Sequence, residues 1–178
     1  MKTDAQYMQM ALDYAHQHAI GNQGHVGAVL MRDNVIIARG ASDDERGMHA
    51  EQAVLSNTDA VGSIAYVTIQ PSLYRTDESM LSDSELLIDA GVTRVVVGSL
   101  NTKYRLQESQ KFFKRHGVSF SVIGGSDRSE KCLDLFVSTG ADQIPIRRTN
   151  LSRLCRLLTY APVLTTQRNS IKTRPTLP

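Results

Sequence analysis

Five short runs rich in β-branched residues alternate with segments of helical period, and this alternation restricts the fold more than any other feature of the chain. The runs are 26–31, 35–38, 64–69, 92–97 and 118–123. The first two flank Asp33-Asn34, a turn dipeptide, and read as a β-hairpin. The helical segments are 4–18, 49–57, 82–90, 106–116 and 128–137. In the first, Tyr7, Met8, Ala11, Leu12 and Ala15 recur at three- and four-residue spacing, with Asp4 placed to cap the start. Ser82 is a cap for the third and Gly91 ends it. The order α-β-β-α-β-α-β-α-β-α predicts a mixed five-stranded sheet with helices on both faces, a three-layer α/β/α domain. Strands joined through a helix should run parallel by right-handed crossovers. Sites in such sheets form at helix starts beyond strand ends, which points to the starts at His49 and Ser82.

At 178 residues the chain is one domain with room for an extension. The hydrophobic fraction of 41% and charged fraction of 21% exclude a disordered, collagen-like or coiled-coil chain. Apolar runs such as Val35-Ile36-Ile37-Ala38 fall far short of the roughly 20 residues that span a bilayer. The first residues carry no signal-like apolar run, and Cys132 and Cys155 are too few for a disulfide scaffold, so a cytoplasmic protein is expected. The net charge of +2 hides an asymmetry: residues 141–178 carry seven basic residues against Asp142 alone, so +6 lies there and −4 on residues 1–140. We therefore expect a domain at 1–140 and a basic extension at 141–178. Such an extension can meet nucleic acid or an acidic partner, or simply be solvated; no aromatic platform accompanies the charges to favour nucleic acid. Within it Leu151, Leu154, Leu157 and Leu158 form an apolar stripe that needs burial against the body or a second subunit. Cys132 reads as a small buried hydrophobe.

The chemistry-bearing residues sit at the two predicted helix starts. Met48-His49-Ala50-Glu51 opens one helix, and Ile69-Gln70-Pro71-Ser72 ends the strand before the other. Taken by themselves, His49 is an ordinary helix-start residue and Glu51 an exposed first-turn carboxylate that the helix dipole favours. A His-x-Glu at a helix start, with a strand ending in Pro in this order of elements, resembles the zinc-dependent deaminases of the cytidine deaminase superfamily. The segments 7–12, 26–30, 49–51, 65–71 and 89–98 are similar to the pyrimidine deaminase domain of the bifunctional riboflavin-biosynthesis deaminase–reductases, over about residues 4–137. The 41 residues that follow are too few for that family's reductase and hold no Gly-rich phosphate loop.

The resemblance implies His49 as a metal ligand, Glu51 as the proton carrier, and a nucleotide-like ligand. It also implies two cysteine ligands that this chain lacks. Ser72 follows Pro71 where the first belongs, and Leu81-Ser82-Asp83-Ser84 covers the place of the second. The pocket loop reads Asn22-Gln23-Gly24-His25-Val26-Gly27, and Ser42 stands where the family has a histidine. A catalytic zinc needs three protein ligands and an open position. His49 and Asp83 make two, and Asp77, Glu78 or His25 is left to supply a third. Bound zinc lowers the pKa of water from 15.7 to about 7, which a general base contributing roughly 10²–10⁴-fold does not replace. The expectation is a pyrimidine deaminase relative without catalytic zinc, retaining a pocket that includes His25 and Ser72 for a nucleotide-like ligand or a partner. The alternatives are a deaminase with unusual ligands, zinc being its cofactor, and an interaction protein acting through the basic extension. Like its relatives, the chain is expected to form a homo-oligomer.

Overall fold

The computed structural model describes residues 2–21, 24–74, 80–101, 103–123 and 126–139. The elements are α1 (Asp4–His18), β1 (Gly27–Arg32), β2 (Val35–Ala41), α2 (Ala50–Leu55), β3 (Ile64–Ile69), α3 (Asp83–Asp89), β4 (Arg94–Ser99), α4 (Leu106–Arg115), β5 (Ser119–Val122) and α5 (Ser126–Thr139). This is the order expected from the sequence. The hairpin turns on Asp33 and Asn34, both at positive φ of 53° and 64°, the pair of left-handed residues that matches strand twist.

The sheet has five strands in the order β2-β1-β3-β4-β5. β1 runs antiparallel to β2 and β3, whereas β3, β4 and β5 are parallel. Because strand side chains alternate, each central strand feeds two cores. Ala28, Leu30, Val67, Val95 and Val97 face one way, into a cluster with Val54, Leu87 and Phe113 of α2, α3 and α4. Val29, Met31, Tyr66 and Val96 face the other way, against Met8, Ala11 and Leu12 of α1 and Cys132 of α5. The result is the three-layer α/β/α domain. No helix among the described residues is long and apolar enough to cross a membrane.

Three expectations are corrected in detail. Thr3, not Asp4, caps α1: its Oγ1 accepts from the Gln6 N–H while the Gln6 side chain accepts from the Thr3 N–H. Asp4 is instead the first helical residue, and its carboxylate receives the Arg94 guanidinium and the Tyr66 hydroxyl. β2 continues past the expected 35–38 through Arg39, Gly40 and Ala41, none of which is β-branched. β4 starts at Arg94 rather than Val92, because Val92 donates to the Leu87 carbonyl in the turn that Gly91 makes at φ +81°.

Candidate functional site

The parallel strands β3 and β4 end on the side where α2 and α3 begin, and a cavity of about 570 Å³ opens there. His49, Ala50 and Glu51 from the start of α2 line it, as do Gln70, Pro71 and Ser72 after β3 and Asp83 at the start of α3. Asn101 and Lys103 after β4, Asp44 from the loop before α2, and Phe136 and Val137 of α5 complete its walls.

Each helix start is fixed by local hydrogen bonds. The His49 N–H donates to Gln52 Oε1 at 2.9 Å, so the helix turns immediately after His49. In α3, Ser82 Oγ accepts from the Glu85 N–H, and Glu85 Oε2 accepts from the Ser82 N–H at 2.7 Å, a reciprocal capping box. Those bonds from Ser82 hold the Glu85 carboxyl below its usual pKa. With its cap closed, α3 presents Asp83 inward, and the side chain is 5% exposed.

The three predicted positions meet. His49 Nδ1 lies 2.9 Å from both oxygens of the Asp83 carboxylate. The Ser72 hydroxyl donates to Asp83 Oδ2 at 2.7 Å, and the Asp83 N–H donates back to Ser72 Oγ at 3.2 Å. The Ser84 N–H donates to the Ser72 carbonyl, tying the strand end to the helix start a second time. Ser72 and Asp83 therefore stand beside His49, where the resemblance places two thiolates.

Glu51 corrects one expectation. It is 3% exposed, not a solvated first-turn carboxylate, on a helix packed against β1, β2 and α3. His49, Glu51 and Asp83 each offer a ligand atom, and these atoms lie within 4.8 Å of one another. His25, expected in the pocket, is not among the residues that line this cavity; its Nε2 lies 2.9 Å from the Gly21 carbonyl. Ser42 accepts from the Val26 N–H through its hydroxyl, and its own N–H donates to the Val26 carbonyl, so this lining residue is spent on holding two loops together. Asp77, Glu78, Cys155 and the leucines at 151–158 lie outside the described residues. The pattern missed Asp44, Asn101, Lys103 and Phe136, since loop residues after a strand carry no periodic signal. Gln70 was visible beside Pro71. It donates to Ser109 Oγ and accepts from the Asn101 N–H, joining the ends of β3 and β4 to α4.

These donors do not fit a thiolate zinc centre. A serine hydroxyl is neutral at physiological pH and lacks the softness of a thiolate. No cysteine among the described residues lines the cavity: Cys132, on the inner face of α5, is fully buried against Gly98, and burial pushes its thiol pKa up to about 12. His49, Glu51 and Asp83 could hold a metal through one nitrogen and two carboxylates, but only with Glu51 as a ligand.

The family described as the cytidine and deoxycytidylate deaminase zinc-binding region matches residues 1–99. The riboflavin biosynthesis protein RibD of Actinobacillus pleuropneumoniae is 36% identical over 101 residues, 54% of this chain and 26% of that protein. The diaminohydroxyphosphoribosylamino-pyrimidine deaminase of Buchnera aphidicola is 24% identical over 120 residues, 65% of this chain and 80% of that protein. The chain thus spans about a quarter of the first relative's length. The Aspergillus oryzae Rib2 deaminase, solved in complex with DARIPP, superposes at a TM-score of 0.65 and 20% identity, covering 86% of this chain and 97% of that one, a likeness of fold. The family match covers more than half of the residues and includes the His49-Ala50-Glu51 motif at the cavity floor: the chain belongs to the cytidine and deoxycytidylate deaminase family and is similar, within it, to the pyrimidine deaminase domain of RibD.

Proposed function

We propose that this protein has given up zinc-dependent deamination and uses the inherited cavity to bind a nucleotide-like ligand. One observation carries the reading: Glu51 is needed twice. A catalytic zinc requires three protein ligands, and the chemistry also requires a carboxylate free to carry the proton. With Ser72 in place of a thiolate, His49 and Asp83 supply two ligands. If Glu51 becomes the third, the motif has no proton carrier; if Glu51 stays free, the metal has too few ligands. The cavity itself remains, and about 570 Å³ lies within the roughly 300–1,000 Å³ of small-molecule sites. Support for a nucleotide-like occupant comes from the fold neighbour solved with DARIPP.

Metal analysis of protein purified without chelator tests this directly. The expected result is zinc well below one per chain, and one tightly held zinc per chain would overturn it. The clustering of His49, Glu51 and Asp83 favours a second reading, an active deaminase with an oxygen-rich metal site. Ammonia release from cytidine, deoxycytidylate and a phosphoribosyl diaminopyrimidine separates the two. Turnover by wild type that disappears in Glu51→Ala establishes the second reading; no turnover, with retained binding of one of these compounds, supports the first.

A further inference from the structure

Folding gathers four rings from separate parts of the chain. Tyr74 comes from the segment after β3, and Tyr104, Phe112 and His116 come from α4 and its two flanks. The Tyr74 ring centre lies 6.2 Å from that of Tyr104 and 5.9 Å from that of Phe112, both edge to face, and Phe112 lies 5.3 Å from His116. The Tyr104 hydroxyl donates to the Tyr74 carbonyl, which holds the two segments together. Tyr104 and Phe112 are half-buried against the core under α4, whereas His116 is exposed and Tyr74 is 56% exposed. Phe113, by contrast, is fully buried, so the core of α4 is complete without the outer rings.

The chain around these rings is basic. Residues 103–116 carry Lys103, Arg105, Lys111, Lys114 and Arg115 against Glu108 alone, a net +4, which leaves −8 on the rest of residues 1–140, whose total is −4. All five cations are exposed, and none forms an ion pair with a described residue. The helix dipole accounts for Lys114 and Arg115 in the last turn of α4. It does not account for Lys103 and Arg105, because Arg105 is the N-cap residue, where the positive end of the dipole disfavours a cation. Cations and rings also alternate. Lys103 and Arg105 flank Tyr104, Lys111 precedes Phe112, and Arg115 follows Phe112 at the three-residue spacing that puts two side chains on one helix face.

We propose that this surface binds single-stranded nucleic acid, with phosphates on the α4 cations and unpaired bases on the rings. A positively charged track beside exposed aromatic side chains is the combination that holds a strand without reading its sequence, since every base has a π-face. Lys103 also lines the cavity, but none of the four rings is among its lining residues. The surface is therefore separate from the ligand site proposed above, and its binding does not depend on zinc.

Fluorescence anisotropy of the full chain tests this with labelled strands of about 20 nucleotides, oligouridine and oligodeoxythymidine, and with the latter paired to its complement. Both single strands should bind, and the duplex more weakly. The slope of log K against log salt should lie between about −2 and −3.5, the value for three to five neutralised phosphates at roughly 0.7 each. K111E/R115E, checked for folding by circular dichroism, should weaken binding and flatten that slope by about 1.4. Tyr74→Ala should weaken binding about fivefold or more with the slope unchanged, and Tyr74→Phe should retain the wild-type affinity, because stacking uses the ring and not the hydroxyl. No binding of either strand at low salt would overturn the proposal. Affinity unchanged in both K111E/R115E and Tyr74→Ala would overturn it in favour of the basic residues 141–178. A loss in K111E/R115E alone, or a duplex bound as tightly as the strands, would overturn it in favour of charge without stacking, the mark of an acidic partner. Tyr74→Ala that splits an oligomer while strand binding holds would overturn it in favour of a second copy on the rings. Zinc content decides only the metal-free reading, and these affinities decide only the α4 surface.

Discussion

Asp4 shows how much one residue's role depends on its distant neighbours. Burial raises its pKa, but the hydrogen bonds from Arg94 and Tyr66 and the Arg94 charge outweigh that, so the carboxyl is held below its usual 3.8. The same contact, with burial, raises the Tyr66 hydroxyl above its ordinary value. A carboxyl depressed on folding contributes stability that is complete above its unfolded pKa and is lost as pH falls through the folded one. Asp4→Asn should therefore cost about 1 kcal/mol near neutral pH, a figure discounted for the partial exposure of both partners. Urea melts at neutral pH and at about pH 3 should show the wild-type advantage narrowing in acid. An advantage that is unchanged in acid would remove the ion pair as its cause. Ser72 and Asp83 make the complementary point: eleven residues apart in the chain, they become partners, with His49, of one hydrogen-bonded group.

At the scale of elements, the close approach of β2 and α2 decides where the His49 and Glu51 side chains sit. Gly40 pairs with Ala28 in the sheet, and a Cβ there would come within 2.4 Å of Val54 N and 2.7 Å of the Ala50 carbonyl. Both are backbone atoms, so no side-chain rotation relieves the overlap. Gly40→Ala should push α2 away from the sheet and destabilise the protein by about 1–3 kcal/mol, the usual range for overpacking. The expected readout is a lower urea midpoint with weakened ligand binding, because α2 carries His49 and Glu51. An unchanged midpoint would show that α2 moves freely over β2.

For the whole molecule, the open question is assembly. Tyr74, Met80 and Leu81 are 56%, 50% and 45% exposed, Met80 and Leu81 just before α3 and Tyr74 with its ring against Tyr104 and Phe112. The sequence adds an apolar stripe at Leu151, Leu154, Leu157 and Leu158, outside the described residues, that calls for burial. We expect a homo-oligomer with one or both segments at the interface. Light scattering at micromolar protein should give a mass at least twice 19.7 kDa, and a monomer mass would remove the idea.

Periodicity alone determined the element order, the hairpin at Asp33-Asn34 and the two-sided sheet. Those features follow from side-chain alternation and turn chemistry, which are local. The His49-Ala50-Glu51 motif was equally legible, because residue identity at a helix start is a property of the chain; that cysteines belong near Ser72 and Asp83 came only from the family resemblance. Tertiary structure decided the rest. Only packing brought Asp83 to His49 across 34 residues and Ser72 to Asp83 across 11, and only packing buried Glu51, which the sequence left as an exposed first-turn acid. Capping likewise turned on geometry: Thr3 and Asp4 are both competent caps, and the Arg94 guanidinium, ninety residues away, drew Asp4 to another role. Burial and long-range contact are sums over neighbours that the local pattern does not contain, so the donor set of the site became visible only when the chain was folded.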